Sequence, residues 1–462
     1  MAKLNKYMFR EYDIRGRESE DGLNPTSINL IARSYGTFLR KRKVTTAVVG
    51  HDNRKTSEDF YEAAIEGLRS TGVDVIAVGT ILAPMMYWAQ YHFKTKGGLM
   101  ITASHNPVGW NGLKLAYGYS YTLIDDEVQE ICQRAAKEDF IKGEGGLKEE
   151  NINAAYVDDL LSRAKLHRKL KIVINTGNGT SGIISPTLFK KFGCVVVEHN
   201  TKLDPSYPHY PPNPARVDMM EDTAKVVVAN KADVGLAVDA DGDRLGVADE
   251  KGNVIWPDRW LILLSRLVLL KHPGAKIIFD VKVSQALPED IEKHGGVPIM
   301  WKTGHSYIKQ KLHAEKATLA GEMSGHVFFV EDFYGFDDAN FAALKLLEYI
   351  SSKKEPFSKI IEKTPYYVST PTLHAPCPDE VKYKVVEKLA KEFKDEGYKM
   401  IDISGARVLF GDGWGLVRAS SNLPVLVIRF EAKTERRLKE IEKIFREKLG
   451  KFKDVGMKWE SG

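Results

Sequence analysis

Four polar loops carry the side chains that could do chemistry. The first lies in GGLMITASHNPVGWNGLK, residues 97–114. Its apolar stretch, residues 99–102, reads as a buried strand that stops at small and turn-forming residues, so Ser104 should stand exposed at a strand's end. A serine hydroxyl alone is a weak nucleophile, and it becomes useful beside a base or a metal, or as the carrier of a transferable group. The plain alternative is turn chemistry at Asn106-Pro107, with the serine bonding its own backbone.

The second loop follows the strand-like VGLAV and reads DADGDR, with Asp239, Asp241 and Asp243 two residues apart. In an extended loop that spacing turns three carboxylates to one side, where their repulsion calls for a cation. Hard oxygen ligands suit Mg²⁺, which also takes a phosphate oxygen. A solvated acidic turn is one alternative. A calcium loop is another, since Asp239, Asp241, Asp243 and Glu250 fall at EF-hand ligand positions, but Arg244 replaces the required glycine and a strand precedes.

The third pair of stretches is WKTGHSYIK, which sets Lys302 and His305 about a helix start, and AGEMSGHVFF, which puts Glu322, Ser324 and His326 between two strand-like runs. Glu322 and Ser324 on one short loop could grip vicinal hydroxyls, as on a sugar. Either histidine could equally be a hydrogen-bonded structural residue. The last loop, GWGLVRASSNLP, presents Arg418, Ser420, Ser421 and Asn422 after a strand. A guanidinium fork with hydroxyl and amide donors grips phosphate, while a polar hairpin turn is the bland reading.

One further motif points elsewhere. Gly177, Gly179 and Gly182 spell GxGxxG directly after the strand-like KIVIN, with Glu198 about twenty residues on, a spacing that suits a dinucleotide. A nucleotide-dependent oxidoreductase is therefore the alternative function. The structural reading is that these glycines permit a tight turn and close helix packing.

The elements that must position these loops alternate. Residues 45–50 read as a strand, 58–68 as a helix, 73–79 as a strand, and 126–137 as a helix, which argues for a helix-covered, largely parallel sheet. The charged, Gly-rich run 137–151 reads as a boundary. A second unit repeats the alternation from residue 171, and a third begins near residue 253 with a strand at 277–280. The Pro-rich residues 364–378 read as a linker to a different kind of unit, with strands at 406–410 and 425–430 and an amphipathic helix over 433–449. The expected domains are 1–150, 151–252, 253–365 and 366–462: three similar α/β domains with mixed, largely parallel sheets, then a C-terminal α+β domain.

Composition narrows the class. At 462 residues the chain is too long for one core. The most apolar stretch, residues 260–270, is too short to span a bilayer and reads as a buried helix. A net charge of +5, with basic and acidic residues interleaved, is no nucleic-acid footprint. Three scattered cysteines lack metal spacing, and no apolar segment follows the charged start, so a cytoplasmic location is expected, with no membrane partner.

Taken in order, TASHNP, DADGDR, GEMSGH and RAS resemble the signatures of the α-D-phosphohexomutase family, in its phosphomannomutase/phosphoglucomutase branch, and the likeness runs from FREYDIRG at Phe9 to the last helix. The resemblance implies four domains around a central cleft. It implies reversible phosphoryl transfer between O6 and O1 of a mannose or glucose phosphate, through a phosphoserine and a hexose 1,6-bisphosphate. By the same likeness Ser104 carries the phosphoryl group, and Mg²⁺ is held by Ser104, Asp239, Asp241 and Asp243. Arg15, Lys114, Arg244 and His305 match reaction-centre positions, with Lys114 and His305 the candidate bases. Tyr12, Lys282, Glu322, Ser324, His326, Arg418, Ser420, Ser421 and Asn422 are the implied substrate contacts. The partners are hexose phosphates, and a monomer or dimer is expected. Ser421 and Asn422 depart from the family's Asn-Thr, and His51 stands where arginine is frequent.

Overall fold

The computed structural model describes residues 4–421 and 423–461, so Asn422 lies outside the described residues. The chain divides into two compact units. One comprises Met1–Pro214, Asp218–Ile255 and Gly325–Ser358; the other comprises Ala215–Val217, Trp256–Ser324 and Lys359–Gly462.

The first unit holds two mixed sheets. The strands of its six-stranded sheet run in the order Ile14–Arg17, Trp110–Tyr117, Gly97–Ile101, Thr46–His51, Asp74–Thr80, Leu147–Glu149. Val48 and Val49, fully buried, sit in the central strand, as a sheet covered by helices on both faces demands. The helix Pro25–Lys41 packs its apolar stripe, including Ile28, Ile31, Tyr35 and Phe38, into the core beneath. Its start is fixed by a reciprocal cap between Asn24 and Ser27, with Pro25 at the first helical position.

Two expectations change here. The loop of residues 97–114 is a hairpin: Gly97–Ile101 pairs antiparallel with Trp110–Tyr117, Met100 opposite Lys114. The second strand is poorly legible because Asn111, Gly112 and Lys114 interrupt its apolar pattern, and the donors of its Asn111 and Lys114 side chains find their partners in distant segments. Within the run 137–151, Leu147–Glu149 forms an edge strand on Val75–Ala77.

The five-stranded sheet runs Val254–Ile255, Leu245–Asp249, Val234–Val238, Lys171–Asn175, Val195–His199. Val234–Val238 and Leu245–Asp249 are antiparallel, Val238 opposite Leu245, so the acidic loop joins them as a tight turn rather than the extended segment expected. Gly242 provides the turn, at φ +80.

In the second unit, Val297–Trp301, Lys276–Asp280 and Leu319–Gly321 are parallel neighbours, covered by the buried helix Pro257–Lys271. Its C-terminal sheet is antiparallel, built on Gly413–Ala419 and Val425–Ala432, with Lys382–Asp395 and Glu435–Leu449 packed on one core. The residues read as a linker join that sheet: Val368–Ser369 and Leu373–Pro376 both pair with Val425–Ala432. Two arginines from this sheet are buried against the turn after Asp280. Arg407 donates to the carbonyls of Val281 and Val283 and stacks on Trp414, while Arg429 donates to the carbonyl of Lys282 and to Asp258. Among the described residues no helix is long and apolar enough to cross a membrane. The three cysteines are buried free thiols.

Candidate active site

Ser104 sits just past the strand Gly97–Ile101, buried, with a left-handed backbone at φ +50. Its amide donates to Thr102 Oγ1 at 2.8 Å, and its hydroxyl donates to Asp239 Oδ2 at 3.1 Å. The hydroxyl at a strand end of one sheet therefore meets the acids of the next within one compact unit. Thr102 Oγ1 donates to Asp241 Oδ2 at 3.1 Å, adding a second crossing bond.

The acidic loop is built to converge. Asp239 Oδ1 accepts from the amides of Asp243 and Arg244 at 3.0 and 3.1 Å, so the loop folds over its own first carboxylate. Oxygens of Asp239, Asp241 and Asp243 all lie within 4.8 Å of one another, and all three residues are buried. Burial, then the charges of Asp243 and Asp241, push the Asp239 carboxyl well above the usual carboxylate range. Such a cluster fits a hard divalent cation, since buried like charges persist only when compensated. Asp243, His326 and Asp337 form a second group whose ligand atoms lie equally close.

Lys114, inside the second hairpin strand, supplies the compensating charge here. Its ammonium lies 2.9 Å from Asp241 Oδ2 and 2.5 Å from Asp243 Oδ2. Burial works against the charged ammonium, but these two carboxylates outweigh it and raise its proton affinity well above normal. Asp243, which burial alone would push up, is held down first of all by the Lys114 charge.

Arg244 Nε donates to His326 Nε2 at 3.0 Å and lies 3.9 Å from Asp243 Oδ1. Because arginine only donates, Nε2 is the bare nitrogen and the proton sits on Nδ1, which stands 2.9 Å from Asp337 Oδ2. Arg15 is buried against Asp13 at 2.7 Å, and its Nη1 donates to Asn106 Oδ1 at 2.8 Å and to the Ala103 carbonyl. Tyr12, partly buried, acts on the Arg15 charge. Burial, then the charges of Arg244 and Arg15, hold the partly buried His105 imidazole well below its usual pKa.

The remaining predicted residues lie in the second unit. Lys282 Nζ is 3.3 Å from Asp280 Oδ2, and the other oxygen of Asp280 accepts the Met323 amide at 2.9 Å. Glu322 Oε1 accepts the Gly304 amide at 2.7 Å, at the start of the helix His305–Glu315, so strand end, helix start and Gly-Glu loop converge. His305 is buried there, while Ser324 is partly exposed. Arg418 ends the strand Gly413–Ala419 partly buried, with its Nε making no hydrogen bond among the described residues. Ser420 Oγ accepts the Leu423 amide at 3.2 Å, its carbonyl accepts Lys382 Nζ, and Ser421 is partly exposed beside it.

The two rival motifs resolve structurally. Glu250 accepts from the Ser358 amide and hydroxyl at 2.9 and 2.5 Å, committed to a helix start instead of a calcium loop. A Cβ at Gly177 would meet Pro212 at 2.7 Å, at Gly179 Ala240 at 2.6 Å, and at Gly182 the Thr201 carbonyl at 2.0 Å. The GxGxxG turn is thus filled by protein, and Ser181 donates to the Asp239 carbonyl at 2.7 Å, buttressing the acidic loop. Sequence reasoning missed Asp13, Thr102, Asn106 and Asp337 as contributors. Thr102 and Asn106 stood in the right motif and Asp13 lies two residues from Arg15; Asp337 declares itself only through its approach to His326 and Asp243.

A buried, turn-borne serine beside convergent carboxylates and three cations is an array that could neutralise a transferring phosphoryl group, so phosphoryl transfer is the chemistry it suits. Known proteins agree. Family models described as phosphoglucomutase/phosphomannomutase α/β/α domain I, domain II, domain III and C-terminal domain match residues 6–142, 154–252, 256–367 and 374–448. A phosphomannomutase/phosphoglucomutase of Pseudomonas syringae is 39% identical over 444 residues, 96% of this chain and 95% of that protein. A phosphoglucomutase/phosphomannomutase of Thermococcus kodakarensis is 32% identical over 444 residues, covering 94% and 96%. A crystal structure of a family protein from Burkholderia thailandensis superposes with TM-score 0.90 at 36% identity, covering 97% of this chain and 98% of that one. This chain belongs to the phosphoglucomutase/phosphomannomutase family. It is a mutase of the isomerase class that transfers phosphoryl groups on hexose phosphates, and the oxidoreductase alternative falls.

Proposed function

We propose that Ser104 carries the phosphoryl group that is exchanged between O6 and O1 of mannose or glucose phosphate. The observation that carries this reading is the Ser104 hydroxyl aimed at Asp239 at 3.1 Å, amid Asp241, Asp243, Lys114 and Arg244. The phosphoryl passes from Ser104 to the free hydroxyl of the monophosphate, the resulting hexose 1,6-bisphosphate turns end for end, and its other phosphate returns to Ser104. Asp239, Asp241 and Asp243 with Ser104 would hold Mg²⁺, which when bound supplies positive charge opposite the transferring phosphoryl group. Arg244 offsets charge on that group, and Arg15 adds a second cation.

Held between two carboxylates, Lys114 keeps its proton, so it suits offsetting negative charge near the transferring group better than taking a proton as a base. His305 is then the candidate base. His326 orients Arg244. In the second unit, Glu322 and Ser324 would take sugar hydroxyls, with Lys282 beside them, and Arg418 with Ser420, Ser421 and Asn422 would grip the phosphate that does not react. Arg418 Nε, buried and unbonded among the described residues, supports that role. The four domains proposed are residues 1–150, 151–252, 253–365 and 366–462, with one family match beginning in each.

The test pairs Ser104→Ala with intact mass. Wild type incubated with glucose 1,6-bisphosphate should gain one phosphoryl and interconvert glucose and mannose 1- and 6-phosphates. The variant should do neither, and retained turnover in it would defeat the assignment.

A further inference from the structure

The serine loop has no regular partner strand between residues 102 and 109, so its carbonyls need donors from elsewhere. Arg15 reaches the Ala103 carbonyl and the Glu18 amide that of Gly109, and a single guanidinium takes four more. Arg54 Nη2 donates to the carbonyls of Ser104 and Asn106, both at 2.6 Å, and Nη1 donates to those of Pro107 and Trp110 at 3.1 and 3.0 Å. All four Nη hydrogens are thereby spent on one loop. The fifth donor, Nε, faces Asp52 Oδ2 at 3.4 Å.

The clamp is itself anchored. Asp52 is fully buried, and its Oδ1 accepts from the Arg54 amide at 3.0 Å and from Ser57 Oγ at 2.5 Å. The Tyr207 ring lies 5.4 Å from the guanidinium carbon. Arg54 is buried, and every hydrogen bond its guanidinium makes ends on the serine loop. Meanwhile Ser104 adopts φ +50, a left-handed conformation disfavoured for any residue with a Cβ. Something must hold it there, and a carbonyl bond on Ser104 itself does so most directly.

We infer that Arg54 is a positioning residue of the phosphoryl-transfer reaction, fixing Ser104 in its strained turn through four loop carbonyls so that the hydroxyl faces the acidic loop. A lysine could not replace it, because a point-like ammonium with three donors cannot span four carbonyls fixed in two forks. The inference rests on Ser104 as phosphoryl carrier.

Arg54→Lys and Arg54→Ala are compared with wild type and Ser104→Ala in glucose 1-phosphate turnover with glucose 1,6-bisphosphate present, beside thermal unfolding midpoints. Misplacing an attacking or leaving oxygen lowers the rate without weakening substrate binding, so kcat in Arg54→Lys should fall by about 10-fold or more while KM stays within about twofold. Arg54→Ala should fall further, and added guanidinium ion, but not ammonium, should restore part of its kcat. Should the alanine variant not fold, the lysine variant decides alone. Wild-type kcat in Arg54→Lys, or a loss confined to KM, overturns the role of Arg54. Turnover in Ser104→Ala overturns the phosphoserine reading instead, so the two failures are distinct.

Discussion

Replacing Lys114 by methionine removes a buried ammonium and leaves a stem of similar length. The ammonium lies 2.9 and 2.5 Å from carboxylate oxygens of Asp241 and Asp243. At an effective dielectric of about 20 each contact is worth roughly 6 kcal/mol of gross attraction, and desolvating the ammonium consumes several kcal/mol of that. Removing one partner of a buried ion pair costs about 3–5 kcal/mol, because the surviving charges stay buried and uncompensated. Two partner carboxylates, Asp241 and Asp243, survive here. Without divalent cation, Lys114→Met should therefore be less stable than wild type by about 3–5 kcal/mol. With Mg²⁺ the deficit should shrink, since a cation on the same oxygens stabilises by about 2.7 kcal/mol at a hundredfold excess over its Kd and the ammonium no longer competes. Urea unfolding in EDTA and in Mg²⁺ reads both effects. The two compact units need not unfold together, so protection from proteolysis at peptides of the first unit should accompany the optical signal. The reasoning is refuted if the variant unfolds at the wild-type urea concentration in EDTA, or if Mg²⁺ shifts both proteins equally.

Two more predictions are independent of the acidic loop. Asp338 caps the helix Ala339–Ser351, and burial raises its pKa to about 7, against the hydrogen bonds from Tyr156 and the Phe341 amide that favour the carboxylate. A carboxyl whose folded pKa is raised stabilises the protein at low pH, and that contribution drains away as pH climbs from about 4 through about 7. Asp338→Asn keeps an acceptor for the Phe341 amide and offers an NH2 donor to the Tyr156 hydroxyl in place of the second oxygen, without the charge, so between pH 5 and 7 wild type should lose up to ~1.4 kcal/mol per pH unit more than the variant. Parallel urea midpoints for the two would refute this. Arg418→Ala should raise KM for hexose phosphates by about 10- to 100-fold, the worth of a charge-assisted phosphate contact, with a smaller change in kcat; an unchanged KM removes Arg418 from the phosphate site.

The loops that matter were legible because each interrupts apolar, strand-like sequence with residues that have no business in a core unless they act. Ser104, the Asp239 triplet, Glu322 and Arg418 all follow that rule, as did the alternating strands that hold the first three. What stayed hidden depends on pairing between distant segments. Nothing local marks Trp110–Tyr117 as a strand, since its asparagine and lysine side chains donate to residues 56, 57, 241 and 243. The proline-rich run at 364–378 looked like a linker for the same reason. Arg54 sits in a short charged loop like many others, and only the four carbonyls around it separate it from a surface arginine. The GxGxxG turn shows the converse: a motif can fit its spacing while its glycines serve packing alone.

Thr102 and Lys114 both end on Asp241, and Asn53 bonds Thr180 and the Asn178 carbonyl across the same two sheets. A chimera that exchanges relatives' sequences at the boundary near residue 150 must therefore transplant both partners of these contacts, or it inherits half of each. Recombination that respects the apparent module border is the kind most apt to yield a folded but silent protein, and exchanges that keep residues 1–255 together with 325–358 from one parent should be the productive ones.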